Sequence, residues 1–181
     1  MQPIEGQAQT MAMHCAHTRF VWNIALEQRL HGRVLGQYVN QELWGKNLTD
    51  ARAYSEWLRA GSSSVQHGAL RDLRQAFKNW WKNPGHFGHP KWRLKGEDES
   101  FTVYNLVVKK LNRKWASILI PKLGYVKFRL SRPLPESKSA RVTLDCSGRW
   151  HVSFTAIPPK VEGPGDGTII GIDRGVAINY Q

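Results

Sequence analysis

One carboxylate in this chain stands where a carboxylate is costly. Asp173 lies within Ile169-Ile170-Gly171-Ile172-Asp173-Arg174-Gly175. The β-branched apolar run ahead of it predicts a buried strand. A charge at the end of such a strand needs a partner, and a divalent cation is one. Asp-x-Gly after a strand is also common where chains reverse, so the motif alone leaves both readings open. The other chemically active feature is charge. Lys plus Arg number 26 against 14 Asp plus Glu, a net +12. So strong an excess points to a polyanionic partner, nucleic acid above all. The eight Trp offer flat faces for stacking on bases, beside whatever part of them fills a core.

Other constellations carry less. His14-Cys15-x-His17 resembles a ligand set, but residues at that spacing on a helix point different ways, and no second pair follows at zinc spacing. His86 and His89 meet the same objection, so no zinc site is expected. Ser62 to Ser64 reads as a helix cap, since no strand precedes it as a nucleophile elbow requires. Gly163-x-Gly165-x-Gly167 comes before a strand, whereas a dinucleotide loop follows one, so it reads as linker. Two distant cysteines, Cys15 and Cys146, suit a reducing cytoplasm better than a disulfide scaffold. Met1 to Gly6 shows neither the basic start nor the apolar run of a signal peptide. No segment has the roughly 20 apolar residues of a membrane span.

The elements that must position these groups read as helices first and strands later. Gly6 to Trp57 is helical in pattern, with Thr18 as a candidate cap of a second helix that ends near Gly32 or Gly36. A further helix is expected over Asp50–Leu58. The clearest element runs from Ser64 to Lys82. Val65, Ala69, Leu73, Ala76, Phe77 and Trp80 share one face; Arg71, Arg74, Lys78 and Lys82 share the opposite one. Charge runs are usually solvated faces, but four like charges at helical spacing repel one another, and phosphate relieves that repulsion. Pro84 to Pro90 ends the helix, and Lys91, Trp92, Arg93 and Lys95 follow as a basic, aromatic turn.

From Ser100 the period changes to two. Phe101–Val103 and Tyr104–Val108 read as strand, then Ile118 and Ile120, then Val126, Phe128 and Leu130 alternating with Lys127 and Arg129. Ala140, Val142 and Leu144 face Trp150, Val152 and Phe154 across Asp145–Gly148 as a hairpin. Short strands with turns between them suggest a small barrel or sandwich. Pro158 to Gly167 reads as a linker. The expected class is therefore α+β.

These segments resemble, in order, the N-terminal part of the TnpB (OrfB) family of insertion sequences, which is similar to type V CRISPR effector nucleases. Arg19-Phe20-Val21-Trp22-Asn23-Ile24-Ala25-Leu26 resembles its first long helix. The run from Ala69 to Trp81 resembles its second signature helix, and Gly88-His89-Pro90-Lys91-Trp92-Arg93 its basic turn. Ile120 to Lys127 and Gly148 to Phe154 fit its β-rich region. Gly171 to Val176 fits its first RuvC motif, the opening of an RNase H-like domain.

The resemblance implies an RNA-guided DNA endonuclease, often described as a transposase with helix-turn-helix-like N-terminal helices. It implies a helical recognition region at 1–97 and an antiparallel, barrel-like wedge at 98–158. A linker at 159–167 and the first RuvC strand at 168–181 would follow. Guide RNA and target DNA are the implied partners, with no small-molecule cofactor, and Mg2+ or Mn2+ would be held by Asp173 as catalytic and metal-binding carboxylate. Phosphate contacts would fall to Arg71, Arg74, Lys78, Lys82, Lys91, Arg93, Lys127 and Arg129, with Trp92 beside them.

Three departures from the family pattern stand out. No basic-aromatic strand precedes the first helix, and one barrel strand is expected to be missing. The later RuvC Glu and Asp and the four-cysteine zinc element are not in the sequence. Two-metal hydrolysis needs several carboxylates, so this polypeptide is expected not to cleave by itself. A nuclease-dead binding module and a basic domain for an acidic protein are the rival readings.

Overall fold

A computed structural model describes residues 1–37 and 39–156; Asp173 and its motif lie outside them. Among these described residues four helices precede six strands. Helix α1 spans Glu5–Val34 without interruption. Thr18, the expected cap of a second helix, does not break it. Its hydroxyl donates to the His14 carbonyl, 2.8 Å away and one turn back, which satisfies the side chain inside a continuing helix. The helix stops where Gly36 turns left-handed at φ 68°. Side chains then open each later helix. Asn40 accepts from the Leu43 amide ahead of α2 (Gln41–Tyr54). Ser55 accepts from Leu58 ahead of α3 (Glu56–Ala60), and Ser62 from Val65 ahead of α4 (Ser63–Lys82).

The strands are β1 (Ser100–Tyr104), β2 (Val108–Lys110), β3 (Trp115–Ile120), β4 (Gly124–Arg129), β5 (Ser139–Leu144) and β6 (Trp150–Phe154). They make two antiparallel three-stranded sheets, β1-β5-β6 and β2-β3-β4, and among the described residues no closed barrel. The barrel-like expectation is corrected at Asn105. Its φ of 54° ends β1 before Val108, so the chain leaves one sheet and starts the other instead of extending a single strand. The β5–β6 hairpin has the anticipated register, with Ala140 opposite Phe154, Val142 opposite Val152 and Leu144 opposite Trp150. Residues 1–6, read as holding no strand, contribute one bridge: the Gln2 amide donates to the Lys127 carbonyl at 2.8 Å.

Among the described residues, burial falls into two apolar clusters. One joins the sheets through Phe101, Ile118, Ile120, Val126 and Val142, and it includes Met11, Cys15 and Val65 from the first parts of α1 and α4. The other gathers Val21, Trp22, Leu26, Trp44, Leu70, Leu73 and Phe77 from the helices. Helices α1 and α4 therefore pass through both. Burial pushes the Cys15 thiol up to about 12, so it stays protonated and behaves as a small apolar group.

His17 is fully buried, edge-on to Trp57 with ring centroids 4.2 Å apart. Burial, with His14 close by, lowers it from 6.5 to about 4. A folded-state value below the unfolded one means the unfolded chain takes up a proton that the folded chain refuses. Stability is thus expected to fall as the pH drops from about 6.5 to about 4, by on the order of 1–3 kcal/mol from this group. Urea unfolding of the parent chain and of His17→Gln across that window checks this; the variant should show the shallower dependence.

Candidate nucleic-acid interface

Helix α4 sets the geometry. Val65, Ala69, Leu70, Leu73 and Phe77 are buried on one side, while Arg71, Arg74, Lys78 and Lys82 are all exposed. The stripe is not uniform. Arg71 lies over the Tyr104 ring, its guanidinium carbon 4.1 Å from the centroid, a cation–π contact that leans it towards β1. Asp72, the next residue, fastens α4 to that strand. It accepts from the Thr102 hydroxyl and the Tyr104 hydroxyl, both at 2.8 Å, and Arg141 of β5 stands 3.7 Å away. Burial, with the bond to Asp72, raises Tyr104 to about 12, which keeps it a donor. The helix passes close to β1 at Gly68. A Cβ there would stand 3.4 Å from the Thr102 carbonyl oxygen and from the Tyr104 ring.

Two clefts flank the stripe. On the β1 side, a cavity of about 730 Å³ is lined by Asp72, Gln75, Lys91, Trp92, Arg93 and Arg141 among others. On the α2 side, Arg74 and Lys78 share a cleft of about 560 Å³ with Arg29, Glu42, Phe77 and Trp81.

The basic turn after α4 is held by α1. The Trp22 indole donates to the Lys91 carbonyl at 2.9 Å. The Asn23 amide clasps Arg93 from both sides, donating to its carbonyl at 3.0 Å and accepting from its N–H at 2.8 Å. This arrangement leaves Lys91 and Trp92 exposed. Arg93 differs from the other expected phosphate contacts. Its guanidinium stacks on Trp22, 3.9 Å from the ring centroid, and burial, with Arg141 nearby, lowers it to about 10. Arg93 remains charged, and it packs first and lines the cavity second.

Lys127 and Arg129 are exposed on β4, alternating with buried Val126 and Phe128. Arg129 lines a separate groove with Arg132. The nine nucleic-acid candidates thus divide among α4, the turn and β4, and the structure brings Lys91, Trp92 and Arg93 together in one cavity and Arg74 with Lys78 in another. Two cations in the clefts were not anticipated. Arg29 sits within the apolar rhythm of α1 and reads as packing. Arg141 alternates with buried Ala140 and Val142 on β5, the same signal that marked Lys127 and Arg129, so it was open to detection.

The fold and surface define an α+β region with a cationic helix set between two lined clefts. Comparison with known proteins adds the kinship. No family model matches the chain. It is 28% identical over 187 aligned residues to an Escherichia coli (strain K12) protein, provisionally named RNA-guided DNA endonuclease InsQ, covering 98% of this chain and 44% of that protein. It is 27% identical to a Streptomyces pristinaespiralis protein with the same provisional description, covering 96% of this chain and again 44% of the relative. The chain thus spans under half the length of these relatives. The matches run over nearly its whole length and bear out the resemblance to the TnpB family.

Proposed function

We propose that the chain is the nucleic-acid-binding N-terminal part of an RNA-guided DNA endonuclease of the TnpB kind, acting in the cytoplasm on guide RNA and target DNA. The observation that carries this reading is the exposed run of Arg71, Arg74, Lys78 and Lys82 on α4, flanked by clefts that hold further cations and aromatic rings. The names of the two relatives support it. Such a surface grips backbone and shape, and base pairing with a guide supplies the choice of sequence. Residues 1–97 would form the recognition region, 98–158 the wedge, and 168–181 the first RuvC strand after a linker. Asp173 would hold Mg2+ or Mn2+ as one ligand of the complete nuclease, where the metal activates water for phosphodiester hydrolysis. This stretch would bind without cutting.

Salt titration tests the reading. With about six phosphates engaged, the log–log slope of binding constant against salt should be near −5 on duplex and shallower on single strands. Purification from the native host should also carry one abundant structured RNA with the protein. Binding indifferent to salt, with only a random trace of RNA, would favour an acidic protein partner instead.

A further inference from the structure

The cleft between α1, α2 and α4 has the parts of a nucleotide site. At its wall, Trp81 is 51% exposed, and its ring stacks on buried Phe77 with centroids 5.5 Å apart and planes 28° from parallel. The Arg29 guanidinium carbon lies 5.9 Å from the Phe77 centroid and 5.5 Å from that of Trp81. With the two rings themselves 5.5 Å apart, these three points form a nearly equilateral triangle. Arg29 therefore sits beside the stack and does not cap it. A cation capping the outer face of Trp81 would be much farther from Phe77 than from Trp81. Arg29 is fixed there in part by donating to the Val39 carbonyl at 2.7 Å.

Trp81, half exposed, lines the same cleft of about 560 Å³ as Arg74 and Lys78. An accessible aromatic face stacks a base, and the neighbouring cations neutralise its phosphate. Glu42 lines the α2 side. Its carboxylate disfavours phosphate there and leaves that side to the hydrogen-bond donors of a base edge.

We infer that this cleft takes one unstacked nucleotide of a single strand, the base on Trp81 and its phosphate on Arg74 and Lys78. The inference rests on the nucleic-acid reading above and adds a specific claim to it: this face discriminates single strand from duplex, because a paired base cannot reach Trp81.

The probe is a single-stranded RNA of about twelve nucleotides carrying one 2-aminopurine, alongside a fully paired duplex of the same length. With the 181-residue chain, Trp81→Ala should weaken single-strand binding about tenfold, the size of one lost base–aromatic stack, and leave duplex binding unchanged. Trp81→Phe should keep most of the affinity. The parent chain should quench 2-aminopurine on binding, and Trp81→Ala should not. Unchanged single-strand affinity in Trp81→Ala, or equal losses on both probes, would overturn the inference while a steep salt slope in the parent chain still upheld general binding. A parent chain that binds neither probe would overturn both.

Discussion

A chain with Arg71, Arg74, Lys78 and Lys82 all replaced by glutamine is expected to lose at least about a hundredfold in affinity for single-stranded RNA near 0.1 M salt. Each phosphate contact on a single strand contributes about 0.7 to the salt exponent, so four lost contacts flatten the slope by about 2.8 and cost several hundredfold. The lower figure allows for Arg71, which already rests on Tyr104. The side chains are exposed, so the fold should survive. A second variant separates place from total charge. Glutamine at Lys46, Arg113, Lys114 and Lys138, also exposed, removes the same four charges elsewhere and should cost far less. Equal losses in filter binding would show that net charge alone holds the polyanion and that α4 has no special part.

The second large effect concerns stability. Gly61, buried between α3 and α4, has an ordinary backbone at φ −79°, so alanine there brings no conformational strain. The obstacle is space. A Cβ at position 61 would lie 2.0 Å from His17 Nδ1, 2.2 Å from its Cε1 and 2.8 Å from Gln66 Nε2. Neither neighbour has an easy retreat. The His17 ring is set against Trp57, and Gln66 donates to the Leu58 carbonyl at 2.8 Å while accepting from Arg52. Overpacking a core usually costs about 1–3 kcal/mol, and with contacts this short Gly61→Ala should cost about 3 kcal/mol or more. For a chain of this size that lowers the melting temperature by about 6–12 °C. Adding His17→Ala should return part of the loss, because the two changes share one space and their effects will not add. Additive losses in thermal melts would place the cost elsewhere.

What the sequence made legible was local. The β5–β6 register follows from alternation around Asp145–Gly148, since a short turn brings both strands together before anything distant matters. Helix α4 follows from one amphipathic pattern and a serine cap. The errors lie where distant contacts decide. Thr18 carries a capping signature, but packing along both sides of α1 holds the helix through it, and its hydroxyl bonds backwards. Arg93 reads as a free cation because nothing near it in sequence foretells Trp22, 71 positions earlier. The division into two sheets falls at a left-handed residue, Asn105, whose type tolerates that conformation without announcing it. Arg29 was hidden for a related reason. A cation on an apolar helix face looks like a stem laid over a core until the rings beside it are known.

Because α1 and α4 each contribute to both apolar clusters, their lengths are fixed in a way that loop lengths are not. One residue inserted between Val65 and Ala69 would leave the sheet-side anchor in place and swing everything downstream by about 100°. Leu73 and Phe77 would leave their cluster, and the cations would turn away from the clefts together with them. Variation in length among kindred chains should therefore collect in the connections, such as that between α1 and α2, and spare the shafts of these two helices.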